Sequence, residues 1–142
     1  MNLKLEKTTL NNEFIIENYI KFMNFHYQEG LKIGIDDPYA KDYDKQKFSE
    51  CHDDSEDFFL IKVDNKNVGF LSMIDSYYDE SVIVLLSLYV LEEYRENGYA
   101  TRAIQELKSL TGKQLDIQVW YGLPAENLYK KIGKEVAKIY RI

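Results

Sequence analysis

Apolar and polar positions recur with different periods along the chain, and each change of period marks an element. Leu3 and Leu5 alternate with charged neighbours, the two-residue period of a short strand. From Ile15 the period lengthens: Ile15, Tyr19, Phe22 and His26 recur at i, i+4, i+7 and i+11, one stripe of a helix that Asn11 or Asn12 would cap. Gly30 and Gly34 break that pattern, and Pro38 is placed to open a second, acidic helix running through Phe48. Two apolar runs follow, residues 58–63 and 68–76, separated by Asp64-Asn65-Lys66-Asn67, a hairpin signal because Asx residues tolerate the backbone angles of a tight turn. A second turn, Tyr77-Tyr78-Asp79-Glu80, feeds residues 82–90, which are apolar except for Ser87 and the amphipathic Tyr89. Such a run predicts a central strand covered on both faces, the third of an antiparallel meander.

Beyond that strand the chain passes through Arg95-Glu96-Asn97-Gly98-Tyr99-Ala100-Thr101 into Ala103, Ile104, Leu107 and Leu110, again a helical stripe, which Gly112 stops. Residues 114–119 alternate as a fifth strand, Pro124 can occupy the first turn of a short helix through Ile132, and residues 135–142 read as a closing strand. The junction at Gly98 carries candidate chemistry. A glycine there lets a ligand approach the backbone, and the unpaired amides and positive dipole end of the following helix favour an anion such as a phosphate.

Composition narrows the picture. With 142 residues, 45% of them hydrophobic and including 12 Tyr and 7 Phe, the chain is read as one globular domain over residues 1–142. No apolar run is long enough to span a bilayer and the first ten residues are unlike a signal peptide, so a cytoplasmic location without membrane contact is expected. A solitary Cys51 and only two histidines, His26 and His52, give no zinc-like spacing, and no metal is expected. The net charge of −6 argues against nucleic acid as a partner. Residues 36–57 hold nine acids against three lysines and so carry that whole excess, either as a solvated helix face or as an attractor of a cationic substrate.

The motif Arg95-Glu96-Asn97-Gly98-Tyr99-Ala100 after Leu88-Tyr89-Val90 resembles the Arg/Gln-x-x-Gly-x-Gly/Ala signature of the GNAT acetyltransferase superfamily, and Ala125-Glu-Asn-Leu-Tyr-Lys-Lys-Ile-Gly133 resembles the family's Ala-x-x-Leu-Tyr-x-Lys-Leu-Gly helix. The two matches span about residues 82–133. The resemblance implies an α/β (α+β) GNAT-like fold: a twisted, mostly antiparallel sheet of six to seven strands with about four helices on both faces, splayed between the fourth and fifth strands. It further implies an N-acetyltransferase using acetyl-CoA as cosubstrate. The backbone of Leu88, Tyr89 and Val90 would pair with the pantetheine arm, Glu96, Asn97, Gly98, Tyr99, Ala100 and Thr101 would cradle the pyrophosphate, Arg95 would add a charge-assisted bond, and Tyr129 would protonate the departing thiolate.

The match is incomplete at named positions. Glu96 and Asn97 stand where the family tends to glycine or a basic residue, Glu92 adds a further negative charge, Gly122 replaces an asparagine, and Val84 occupies a place where some members carry a glutamate base. Asp75, Tyr77, Asp79, Glu80, Glu29 and His26 remain candidates for that base. The expected acceptor is a primary amine on a small cationic molecule or a protein, reached by direct transfer. A non-catalytic CoA-binding or protein-interaction member of the same fold is the alternative. After Gly133 only nine residues follow in this sequence, one strand's worth, so an open sheet edge is expected and a homodimer is one way to cover it.

Overall fold

A computed structural model describes residues 2–120 and 122–142. Its organising unit is the antiparallel meander. Asp64 and Asn65 take φ of 50° and 67°, two left-handed residues in succession that close a tight hairpin between β2 (Asp57–Val63) and β3 (Lys66–Asp75). β3 then pairs antiparallel with β4 (Val82–Val90), and β1 (Leu3–Thr8) pairs antiparallel with the other side of β2. On the far side of β4 lies β5 (Gln114–Ile117), which runs parallel to it, giving the order β1-β2-β3-β4-β5.

Two cores explain why the meander is apolar at nearly every position. Phe58, Leu60 and Phe70 point to one face, where they meet Ile15, Tyr19 and Met23 of α1 (Glu13–Lys32) and Phe48 of α2 (Lys45–Cys51). Phe59, Ile61, Leu71, Met73, Ile83 and Leu85 point to the other, against Ala103, Ile104 and Leu107 of α3 (Tyr99–Thr111). Alternate residues of one strand therefore feed opposite cores. α1 begins as its sequence requires: Asn12 accepts a hydrogen bond from the Ile15 amide at 3.1 Å. The fourth helix, α4 (Ala125–Ile132), leans Leu128 and Tyr129 on the α3 side.

The structure corrects four expectations. Among the described residues the sheet has five strands, not six or seven, and one of its pairings is parallel. Residues 133–142 form no strand and are exposed, with Val136, Ile139 and Tyr140 at 68%, 73% and 80%. The edge they would join, β5, is four residues long, and its few ladder hydrogen bonds do not offset ordering a whole segment at about 1–2 kcal/mol per residue. Pro38 does not open a helix. Asp37 binds the amides of Tyr39, Ala40 and Lys41 in an isolated turn, Asp42 ends it at φ 53°, and α2 starts at Lys45 under an Asp44 cap. Lastly, Leu110 of the α3 stripe lies 56% exposed, one turn beyond the sheet-facing residues.

Candidate active site

β4 and β5 run together only from Val82↔Gln114 to Leu85↔Ile117. At that point β4 is bulged: Ser87 pairs with Ser72 and Leu85 with Met73, so Leu86 has no partner on β3 and is 45% exposed. A bulge of this kind bends and twists the strand. Its second half, Ser87–Val90, stays on β3 but leaves β5 behind, and no strand among the described residues covers that edge. Two devices hold the diverging half in place. The hydroxyls of Ser72 and Ser87, both buried, hydrogen-bond to each other at 2.5 Å. Gly69 lies so close to β4 that a Cβ there would stand 2.1 Å from the Tyr89 carbonyl oxygen.

The strand ends in a turn rich in unusual backbone. Leu91 donates to Val68 O at 2.9 Å, Glu92–Tyr94 make one 3₁₀ turn, and the Asn97 side-chain amide donates to Tyr94 O and Arg95 O at 3.0 and 3.2 Å. Glu96 and Gly98 then adopt φ of 65° and 75°, with Asn97 between them outside that region. Alternating backbone handedness turns successive amides into one concavity, an anion nest. Gly98 is the N-cap of α3 and has no side chain to spend on it, while Arg102 N makes the first intrahelical bond, to Gly98 O. The amides of Tyr99, Ala100 and Thr101 therefore have no acceptor within the helix. A Cβ built on Gly98 meets nothing within 4 Å, so open space adjoins these donors. Glu92, Glu93 and Glu96 are exposed on the same turn, and their charge opposes an anionic guest.

Arg95 is engaged differently from the sequence expectation. Its Nε donates to Val90 O at 2.8 Å, and its guanidinium lies 5.4 Å from the Phe25 ring centroid and 5.3 Å from that of Tyr89. It clamps the end of β4 to α1. Tyr129, by contrast, joins the other motif: with Leu88, Tyr99 and Leu128 it packs around the α3-side core, so both sequence motifs meet on one cluster. Burial pushes its phenol above the ordinary tyrosine value, which keeps it protonated and able to donate. Gly122 adopts φ 91° and its amide donates to Glu126 at 3.1 Å; a Cβ there would sit 3.0 Å from an Ile33 methyl, so the loop before α4 presses on the end of α1.

The base candidates separate by position. Asp75, Tyr77, Asp79 and Glu80 surround the start of β4, where it is still paired with β5; Asp75 is beside Lys113, Asp79 accepts from Ser81, and Tyr77 is 95% exposed. His26 and Glu29 lie instead on the α1 stripe between Phe22 and Ile33. The acidic segment is also largely structural: Asp44 caps α2, Asp53 accepts from Ser55, and Glu56 holds His52 at 2.5 Å. Asp36 and Asp37 contact α1 directly, at Tyr27 (2.8 Å) and His26 (3.7 Å). Sequence reasoning missed the Leu86 bulge, the serine pair and the Arg95 clamp; only Gly69, a glycine inside a strand, signalled a close approach.

The sheet is mixed, its parallel pair at one end parts into an open stretch of β4, and that stretch leads through a left-handed turn to an uncapped helix. The chain belongs to the Acetyltransferase (GNAT) family, whose model it matches over residues 20–133. It is similar in fold to ribosomal-protein-alanine N-acetyltransferase from Brucella melitensis biovar Abortus 2308 (TM-score 0.65, 16% identity, 99% of this chain and 99% of that one). It is likewise similar to an aminoglycoside acetyltransferase from an uncultured soil metagenomic sample, solved with sisomicin (0.56, 15%, 99% and 95%), and to AAC(6')-Iy bound to the bisubstrate analogue CoA-S-monomethyl-acetylneamine (0.60, 13%, 100% and 97%). No curated protein matches the chain significantly. Among the described residues no helix is long and apolar enough to cross a membrane.

Proposed function

We propose that the chain is an acetyl-CoA-dependent N-acetyltransferase that transfers directly to a primary amine on a small cationic molecule or a protein. The observation that carries this reading is the continuity between the open edge of β4 and the uncapped amides at Gly98–Thr101. Leu88, Tyr89 and Val90 would pair with an extended pantetheine arm as a missing strand would, and the nest at Glu96–Gly98 with the amides of Tyr99, Ala100 and Thr101 would take the pyrophosphate. Bound there, acetyl-CoA supplies an activated acyl group; Tyr129 holds a proton for the leaving sulfur. Arg95 would act by fixing the Val90 end of the strand. Neighbours that act on ribosomal protein and on aminoglycosides support both acceptor types. We place the protein in the cytoplasm, and the free β5 edge with its apolar tail supports a homodimer.

The test is thiol release from acetyl-CoA with polyamines, aminoglycosides and basic peptides, together with CoA-induced thermal stabilisation. Gly98→Trp fills the open space beside the donors and is expected to abolish that stabilisation; unchanged stabilisation would refute the site. The second reading, a non-catalytic CoA-binding or protein-interaction member, is favoured by Glu92, Glu93 and Glu96 beside the donors, and stabilisation by CoA without turnover on any amine would establish it.

A further inference from the structure

The stripe of α1 changes chemistry where it leaves the sheet. Tyr19 stacks on Phe70 of β3, Phe22 meets Tyr89 of β4 with ring centroids 6.1 Å apart, and Ile33, just beyond the helix, reaches the loop before α4 at Gly122. Between Phe22 and Ile33 the same stripe presents His26 and Glu29, so this pair crosses above the gap where β4 has left β5. Both are half-buried, their side chains 29% and 20% exposed. His26 Nε2 lies 3.7 Å from Asp37 Oδ2, an ion-pair contact too long for a hydrogen bond. Glu29 gives Oε1 to Lys32 at 2.9 Å and retains Oε2.

Resting on the acetyltransferase reading, we propose that His26, with Asp37 beside it, accepts the proton of the attacking amine, and that Glu29 holds the acceptor's positive charge. As the C–N bond forms and the C–S bond breaks, one proton passes from nitrogen to the His26 imidazole and one from Tyr129 to the thiolate. Amine and thioester become amide and thiol, and the imidazolium and phenolate are restored by proton exchange with water. This places a base where Val84 offers none, and on the open side of β4. The charged groups around His26 are Asp37 on the connecting loop, Glu29 with Lys32 on its own helix, and Arg95 from the β4–α3 turn against the adjacent Phe25.

Only two histidines are present, and His52 is sealed between Tyr43 and Glu56, which makes it an internal reference. In the CoA-loaded protein, spermidine, kanamycin or a lysine-rich peptide is expected to move the His26 Hε1 resonance and leave that of His52 in place. With whichever probe turns over, His26→Asn should lower kcat roughly tenfold or more while KM for the amine and CoA-induced stabilisation stay near the wild-type values, because only the acceptor for the nitrogen's proton is lost. Glu29→Gln should raise KM for the amine with little change in kcat. An unmoved His26 resonance with all three probes, or a wild-type kcat in His26→Asn, overturns the assignment. Failure of CoA itself to stabilise the wild-type chain would overturn the acetyltransferase reading instead.

Discussion

Glu96 combines two liabilities in one residue, and substitution separates them. Its φ of 65° places a residue with a Cβ in the left-handed region, at a cost of about 1–2 kcal/mol that glycine does not incur. Glycine in turn loses roughly 0.4–1 kcal/mol through the greater freedom of the unfolded chain. Glu96→Gly should therefore stabilise the fold by about 0.5–1 kcal/mol, or roughly 2–4 °C in Tm for a chain of this length. Glu96→Gln keeps the strained backbone and should leave Tm near wild type. Both substitutions remove a charge from the turn that leads into the uncapped amides, so both should tighten CoA about two- to fivefold in low salt, with the gain shrinking as the Debye length falls from about 8 Å towards about 3 Å. Differential scanning fluorimetry and isothermal titration at two salt concentrations read the two effects independently. If Glu96→Gly is no more stable than Glu96→Gln, the strain argument fails; if affinity is unchanged in both at low salt, the turn does not face the phosphates.

Other outcomes follow from buried polar groups. Ser72→Ala leaves the Ser87 hydroxyl without its partner inside the sheet and should cost about 1–3 kcal/mol, whereas the double Ser72→Ala/Ser87→Ala variant should recover most of that loss; a double-mutant cycle by chemical denaturation checks it, and additive losses would contradict it. Tyr129→Phe should lower kcat about a hundredfold while CoA affinity stays within a factor of two, read by single-turnover kinetics and titration, and an unaltered kcat removes Tyr129 from the proton path. Tyr19 and Tyr129 are pushed up by burial and Tyr39 to about 12, mainly by burial, so their neutral forms stabilise the fold fully below the unfolded value near 10 and that contribution is lost as pH rises through the folded values. Tm should be level up to about pH 10 and fall above it, and Tyr19→Phe should fall less steeply over that alkaline range.

Where local chemistry is sufficient, the sequence is readable. Asn12 caps α1, Asp64-Asn65 closes the hairpin, and the Gly98 turn needs glycine for both its φ and the space beside it. Misreadings arise where partners distant in sequence decide. Pro38 can start a helix, yet Asp42 in the left-handed region stops the turn at once. Residues 135–142 carry a strand-like pattern, but a pattern without a long enough edge makes no strand. Arg95 fits the phosphate motif by spacing, while Phe25, seventy positions earlier, claims its guanidinium face. His26 reads as a core position on its stripe, and only the path of α1 across the sheet shows that the core has ended there.

The strand order has a bearing on how the molecule assembles. β2, β3 and β4 are neighbours both in the sheet and along the chain, joined by residues 64–65 and 76–81, whereas β1 reaches β2 only after residues 9–56 have been looped out. Closing the longer loop costs about 2 kcal/mol more entropy than closing the 76–81 turn. The meander is thus the expected nucleus, already carrying the bulge at Leu86 and the Gly69 contact, and α1 with β1 docks onto it late. Pulse-labelled hydrogen exchange should protect Leu71 and Leu85 before Leu5, so that the split in the sheet is shaped before the helix that crosses it arrives.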